Sequence, residues 1–238
     1  MTKPLGHKAY GSIAHLPDSR MGPADHHCHA GQATICTTKA RDKHDRIIVL
    51  EKLDGANCCV ANIDDKIVPL IRAGYRANEA LYEHLRMFGA WVDRQPERFD
   101  FIAPGSRIVG EWMALAHGTI YSVLPDDPFI VFDYFDGRVR RPYGDVQGAA
   151  YLAGLKAAPV LSDGRPITIT DALAMMGPEG EFGAQGGPEG VVYRVERKGQ
   201  VDFLAKFVRP DKVDGAYLSE ISGAPAVWHW PADRRAAQ

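Results

Sequence analysis

Cysteine is scarce in this chain: Cys28, Cys36, Cys58 and Cys59 are the only four in 238 residues. Two are adjacent in a run that reads as strand, where neighbours point to opposite faces, so no disulfide framework is encoded. A reducing, cytosolic compartment is the expectation. No C-x-x-C or spaced ligand pair accompanies the block "ADHHCHAGQ", which argues against a structural zinc on His26, His27, His29, Cys28 and Cys36. Positive charge is not in excess. The formal net charge is −2, which excludes a broadly cationic nucleic-acid coat but not a local basic groove. No signal peptide opens the chain and no apolar run is long enough to span a bilayer, so no membrane partner is expected. An internal repeat is also lacking.

What is present is apolar residue: 45% of the chain, enough for a substantial core without staples. Residues 1–46 are rich in Gly, Pro, His and charge and carry no long apolar period. They read as a leader of mostly ordered loop. The core pattern begins at Ile47. Asn57–Ile63 and Ile67–Gly74 flank "DDK", a turn signal, and predict a strand pair. In "NEALYEHLRMFGAWVDRQ", Leu81, Leu85, Phe88 and Val92 recur at helical spacing and form a core stripe, with Asn78 as N-cap. "RIVGEWMA" and "FIVFDYFDG" read as strands, and "YGDVQGAAYLAGLKA" and "TDALAMM" as short helices. "EGVVYRVERKGQVDFLAKFVR" reads as a hairpin turning at "KGQ", after the Gly-rich loop "GPEGEFGAQGGPEG". Strands dominate the second half without regular βαβ alternation, which predicts an α+β fold of mostly antiparallel sheets with flanking helices.

The stretch "IIVLEKLDGANCCV" is where chemistry enters. An apolar run stops at Glu51, Lys52, Leu53, Asp54 and Gly55, and a second apolar run follows. A lysine between two buried strands is expensive unless it has a role. It acts as a nucleophile only as the neutral amine, which desolvation and nearby positive charge favour. Gly55 lets the backbone bend so that a ligand can approach closely. K-x-D-G alone is a weak pattern. It gains weight from its ordered followers: Arg72 in "RAGY", Glu111 in "VGEW", Phe132 and Asp133 in "FIVFDYFD", Glu189 in "EGVVYRV", and Lys206 in "AKFVR".

In that order the motifs resemble those of the covalent nucleotidyltransferase superfamily, and within it RNA ligases of the phage T4 RNA ligase 2 type and their bacterial relatives. "EKLDGAN", with Glu before the lysine and Asn57 five residues after it, is similar to that group's nucleophile motif. The resemblance covers roughly Ile47–Arg209. The leader "HLPDSRMGPADHHCHAGQ" resembles that of a bacterial RNA-ligase-like group.

The resemblance implies a nucleotidyltransferase (ATP-grasp-like) domain over 47–238, with the leader 1–46 packed on it. It also implies an ATP-dependent enzyme using Mg²⁺ or Mn²⁺. Lys52 would take AMP from ATP as a phosphoramide. AMP would then pass to a 5′-phosphate end, and a 3′-hydroxyl would displace it to seal the strand. Glu51 would sit over the adenine edge and Phe132 would stack on adenine. Glu111 would bond the ribose, and Arg72 the nucleotide or the 5′-phosphate end. Glu189 would hold the metal, and Lys206 would touch the α-phosphate. Asp54 and Gly55 complete the nucleotide motif, and Asn57 belongs with the nucleic acid. The physical logic agrees, because phosphoryl transfer needs charge neutralisation and in-line positioning more than covalent help.

RNA with a 5′-phosphate and a 3′-hydroxyl is the expected partner, with room for an end-healing kinase or phosphatase, and the protein is expected to be a monomer. A small DNA ligase is the nearest rival. A binding module that has lost catalysis is the rival from another class. Two departures matter. The family's last motif carries two lysines one residue apart, whereas Phe207 and Val208 follow Lys206 and Arg209 falls on the opposite face of a regular strand. The thirty or so residues after that motif do not accommodate an OB-fold.

The leader's Arg20, Lys39 and Arg41, with its histidines, suit phosphate or RNA-end contacts, and ordinary loop packing is the alternative. Because the leader feeds the strand that ends at Lys52, its end is expected near the nucleotide pocket. Arg138, Arg140 and Arg141 with Tyr143 suit a phosphate backbone or a solvated loop equally.

Overall fold

The structure is a computed structural model and describes residues 2–231. Along the chain the elements are β1 (Ala14–His15), α1 (Ala30–Thr37), β2 (Asp45–Lys52), β3 (Ala56–Ile63), β4 (Lys66–Ile71), α2 (Glu83–Asp93), β5 (Ser106–Trp112), β6 (Ile120–Tyr121) and β7 (Phe129–Asp136). They continue with β8 (Val139–Arg140), α3 (Tyr143–Leu152), β9 (Val160–Gly164), α4 (Ile169–Met176), β10 (Ala184–Gln185), β11 (Gly190–Arg197), β12 (Gln200–Val208) and α5 (Ser219–Ser222). Two five-stranded sheets form, in the orders β1-β12-β11-β2-β9 and β4-β3-β5-β7-β8, with β6 and β10 as a small ribbon. Strand pairing is antiparallel except for β1 on β12. This is the α+β architecture expected, and among the described residues no barrel closes.

Turn chemistry sets both long hairpins. Asp64 and Asp65 adopt φ of 52° and 59° between β3 and β4, and Lys198 and Gly199 adopt 51° and 76° between β11 and β12. Two consecutive left-handed residues match the right-handed twist of the flanking strands. Period-2 alternation then sorts the side chains. Ile47, Val49, Val191, Tyr193, Val195 and Phe207 pack on one face of the first sheet against Ala33 and Cys36 of α1 and Ala172 and Met176 of α4. Ile48 and Leu50 on the other face join the largest core, where Phe88, Trp91 and Val92 of α2 meet Val60, Ile108, Trp112 and Phe129. A third core sets Ala9 and Tyr10 against Cys59, Ala61, Val109 and Phe135. Arg194, fully buried, ties the sheets together: it donates to Asp133 of β7 at 3.0 Å and to Glu196 at 3.1 Å. A buried cation held this way fixes orientation more than it adds stability.

Three expectations need correction. The leader is not only loop. Segment 30–37 forms α1 although its small, polar sequence carries no apolar stripe, because tertiary contacts through Ala33 and Cys36 hold it. Asn78 does not cap a helix; α2 begins at Glu83 after Tyr82, and the Asn78 amide donates instead to Asp93 at its far end. Leu81 precedes the helix and is 83% exposed, so the core stripe comprises Leu85, Phe88 and Val92 without it. Strand β9, in "VLSDG", pairs with β2 although only its first two residues are apolar.

Candidate active site

The chain crosses from one sheet to the other through Leu53, Asp54 and Gly55, between the end of β2 and the start of β3. That crossing is why a charged cluster interrupts two buried runs. Added bulk at Gly55 would meet the Trp112 carbonyl at 2.7 Å, and its N–H donates to Glu111 Oε1 at 3.0 Å. The corner is held further by Asp54, whose N–H donates to the Tyr121 hydroxyl at 3.0 Å and whose carboxylate accepts from Gly118 N at 2.9 Å.

A cleft opens between the sheets at this corner. Leu50, Lys52, Val192, Leu204 and Lys206 line it from the first sheet, and Asn57, Arg72, Glu111 and Phe132 from the second. Register explains the convergence. Val192 pairs with Leu50 on one side and Lys206 on the other, and Gly190 pairs with Lys52. Asn57 pairs with Glu111. Phe132 is the extra residue of a bulge, because Val109 pairs with Asp133 and Gly110 with Val131. The bulge aims its ring into the cleft, where Tyr10 supports it edge-on at 5.4 Å.

The charges are coupled. Lys52 Nζ is in direct contact with Glu189. Burial works to lower the Lys52 pKa, but Glu189, Glu111 and Asp54 outweigh it and hold the ammonium above the usual lysine value. Burial raises Glu189 to about 7 and Glu111 to about 8, with Lys52 opposing in both. Lys206 is lowered, by burial first and then by Lys52. Glu51 borders the cleft, but its carboxylate turns to the Gly-rich loop and accepts from Glu181 N at 2.9 Å. Its Oε1 and the Asn57 Oδ1 are buried acceptors that no donor reaches.

The structure thus brings Glu51, Lys52, Asn57, Arg72, Glu111, Phe132, Glu189 and Lys206 to one place, with Asp54 and Gly55 at its corner. The leader cations lie elsewhere. Lys39 is exposed, and Arg41 is committed to Asp45 at 2.8 Å and Asp202 at 2.6 Å. These anchors sit at the start of β2, roughly 23 Å of extended strand from Lys52. The end of the leader therefore does not approach the cleft; its beginning does, through Tyr10, Gly11 and Ile13. Arg20 pairs with Asp214 at 2.6 Å. Arg209 pairs with Asp211 and borders a second, Gly-rich depression. Arg140 and Arg141 are held by Asp133 and Asp145, so the arginine-rich turn is largely self-paired.

The lining by Tyr10, Gly11, Ile13, Val192 and Leu204 was not read from the sequence. For Leu204 a signal existed, since it lies two residues along its strand from Lys206; Val192 reaches the cleft by pairing with Lys206 and Leu50, which the sequence does not show. Among the described residues no group of three His, Cys, Asp or Glu forms a metal cage.

A Naegleria gruberi RNA ligase variant solved with AMP and Mn matches at TM-score 0.52 and 17% identity, over 92% of this chain and 65% of that one. The Naegleria gruberi RNA ligase with PPi matches at TM-score 0.50 and 20% identity, over 76% of this chain and 53% of that one. An archaeal ATP-dependent RNA ligase matches at TM-score 0.49 and 18% identity, over 82% of this chain and 48% of that one. The chain thus spans about half to two thirds of the length of these structures, and at such identities the first two establish the likeness of fold. No curated protein gives a match. The RNA ligase family model matches residues 45–208, from the first residue of β2 to the last of β12 and so across both walls of the cleft, and the chain belongs to the RNA ligase family.

Proposed function

We propose that the protein is an ATP-dependent RNA ligase that works through a covalent lysyl-AMP at Lys52. One observation carries the reading: a half-buried lysine in contact with Glu189 at the corner of a cleft that also presents Glu111, Lys206 and the Phe132 ring. Solved Naegleria gruberi RNA ligase variants hold ATP and Mn, which supports the same ligands here.

The residues fit a nucleotide. Phe132 and Val192 come from facing sheets and offer apolar surfaces to a base. Asn57 Oδ1 lacks a donor, and an adenine exocyclic amine is a donor. Glu111 would accept from ribose hydroxyls, and Lys206 and Arg72 would donate to phosphate oxygens. The residues fit a divalent cation only as one that arrives with phosphate and keeps its waters, because Glu189 lacks a carboxylate cage around it. When bound there, such a cation would supply neutralisation of phosphate charge, with Glu189 as the carboxylate that would hold it. As it stands, Lys52 is held as an ammonium, chiefly by Glu189. Once Lys52 has passed its proton to water, the freed Nζ lone pair attacks the α-phosphorus, a P–N bond forms and the P–O bond to pyrophosphate breaks. AMP then passes from Lys52 to a 5′-phosphate oxygen, and a 3′-hydroxyl displaces AMP to seal the strand.

The test is incubation with α-labelled ATP and Mg²⁺ or Mn²⁺, followed by RNA or DNA with a 5′-phosphate. Label is expected on wild-type protein and on neither Lys52→Ala nor Lys52→Arg, whose guanidinium stays protonated. Label on either variant would remove Lys52 from its role. A module that binds nucleotide without sealing is favoured by one feature: Leu204 and Val208, the neighbours of Lys206 on its own strand face, are both apolar. Failure of wild-type protein to take label would decide for it.

A further inference from the structure

The leader reaches Lys206 through a specific set of contacts. β1 runs parallel to β12 with His15 beside Lys206. The Val208 N–H donates to Ser19 Oγ at 2.9 Å, and Ser19 Oγ lies 2.7 Å from His15 Nδ1. His15 is 1% exposed, and its other nitrogen, Nε2, faces Asp25 Oδ2 at 3.2 Å without forming an aligned hydrogen bond. Asp25 Oδ2 accepts from Gly22 N at 2.9 Å, and Asp25 Oδ1 lies 3.9 Å from Lys206 Nζ.

This is an anion held beside the Lys206 ammonium, but held poorly; burial and then Lys206 push the His15 pKa down, away from its charged form. Charge-assisted hydrogen bonds close to about 2.7–2.9 Å. Neither the Lys206 contact nor the His15 contact does so. The firm bond to Asp25 is local, from its own turn, and its side chain is 29% exposed on a segment outside any strand or helix. A carboxylate and a phosphoryl group present the same acceptor-only oxygens. We propose that Asp25 is a built-in stand-in for phosphate, occupying the corner between Lys206 and His15 that a phosphate of the incoming triphosphate, or the departing pyrophosphate, takes over. The proposal rests on reading the cleft as a triphosphate site. It adds that the leader, outside the region matched by the family, competes with substrate for Lys206 and speeds release of pyrophosphate.

The experiment titrates inorganic pyrophosphate into the full chain by calorimetry, for wild type, Asp25→Asn and Asp25→Glu. Asparagine keeps an acceptor for Gly22 N and removes the charge. It should bind pyrophosphate about tenfold more tightly than wild type, with the gap narrowing as salt screens the corner, while Asp25→Glu stays near wild type. Adding Lys206→Ala to Asp25→Asn should erase the gain. Equal or weaker binding by Asp25→Asn, or no binding by either protein, would overturn the proposal. α-Labelled ATP on the same samples separates the two readings. Label without a change in pyrophosphate affinity removes only the stand-in. Tighter pyrophosphate binding with no label on wild type removes only the ligase.

Discussion

The cleft places opposed demands on single residues. Glu111 shows this most directly, because burial raises its pKa from 4.5 to about 8. The unfolded chain releases that proton near the ordinary value, whereas the folded protein keeps it to about 8. The contribution to stability is full below 4.5 and is lost as pH rises through 8. Glu111→Gln should therefore flatten the fall in thermal stability between about pH 5 and pH 8, while its Oε1 still accepts from Gly55. Melting curves at both ends of that window check it, and an unchanged slope would mean the carboxyl titrates normally. Phe132 makes a different demand. If it stacks on adenine, Phe132→Ala should weaken ATP use by about 1–3 kcal/mol, with Phe132→Tyr milder. Nucleotide titration beside a melting curve separates a lost stacking surface from a damaged core, since in the second case only the melting temperature moves.

At the scale of elements, the bulge in β5–β7 is the device that turns Phe132 into the cleft, and Gly110 makes room for it. A Cβ at Gly110 would lie 2.6 Å from the Ile130 carbonyl and 2.7 Å from the Phe129 ring. Gly110→Ala should cost on the order of 1–3 kcal/mol, the range for overpacking, and should weaken nucleotide binding as well because the strand it displaces carries Phe132. Denaturant unfolding with nucleotide titration checks both; a stable variant with native affinity would show that the bulge does not need the space. The β2–β3 corner is the companion device, carrying Lys52, Asp54 and Gly55 within one change of sheet.

Across the whole molecule the leader is structural before it is anything else. Ala9 and Tyr10 sit in one core, Leu16, Ala33 and Cys36 in another. The Ala9 carbonyl accepts from the buried Arg107 at 2.9 Å. A chain starting at Asp45 should therefore not retain a well-folded adenylylating unit, contrary to what a loop-like leader suggests. It would bare the face of Ile47, Val49 and Tyr193 and leave the Arg107 cation short of an acceptor. Loss of the cooperative melting transition is the expected result. A truncated protein that melts like the full chain would return the leader to an accessory role.

The Lys52 corner, its ordered followers, both long hairpins and the α+β class were legible in the sequence, because period-2 alternation, left-handed turn residues and short motifs are local and survive without coordinates. Tertiary structure alone decided the rest. It turned Glu51 toward the Gly-rich loop, placed Arg41 at the far end of β2, and brought Tyr10 against Phe132 and Asp25 toward Lys206, partners more than a hundred residues apart in the chain. It also made α1 from a segment with no helical stripe. Those outcomes depend on which faces of two sheets meet and on which carboxylate satisfies which cation. Such pairings are settled by burial and charge across long sequence separations, where local periodicity carries no information.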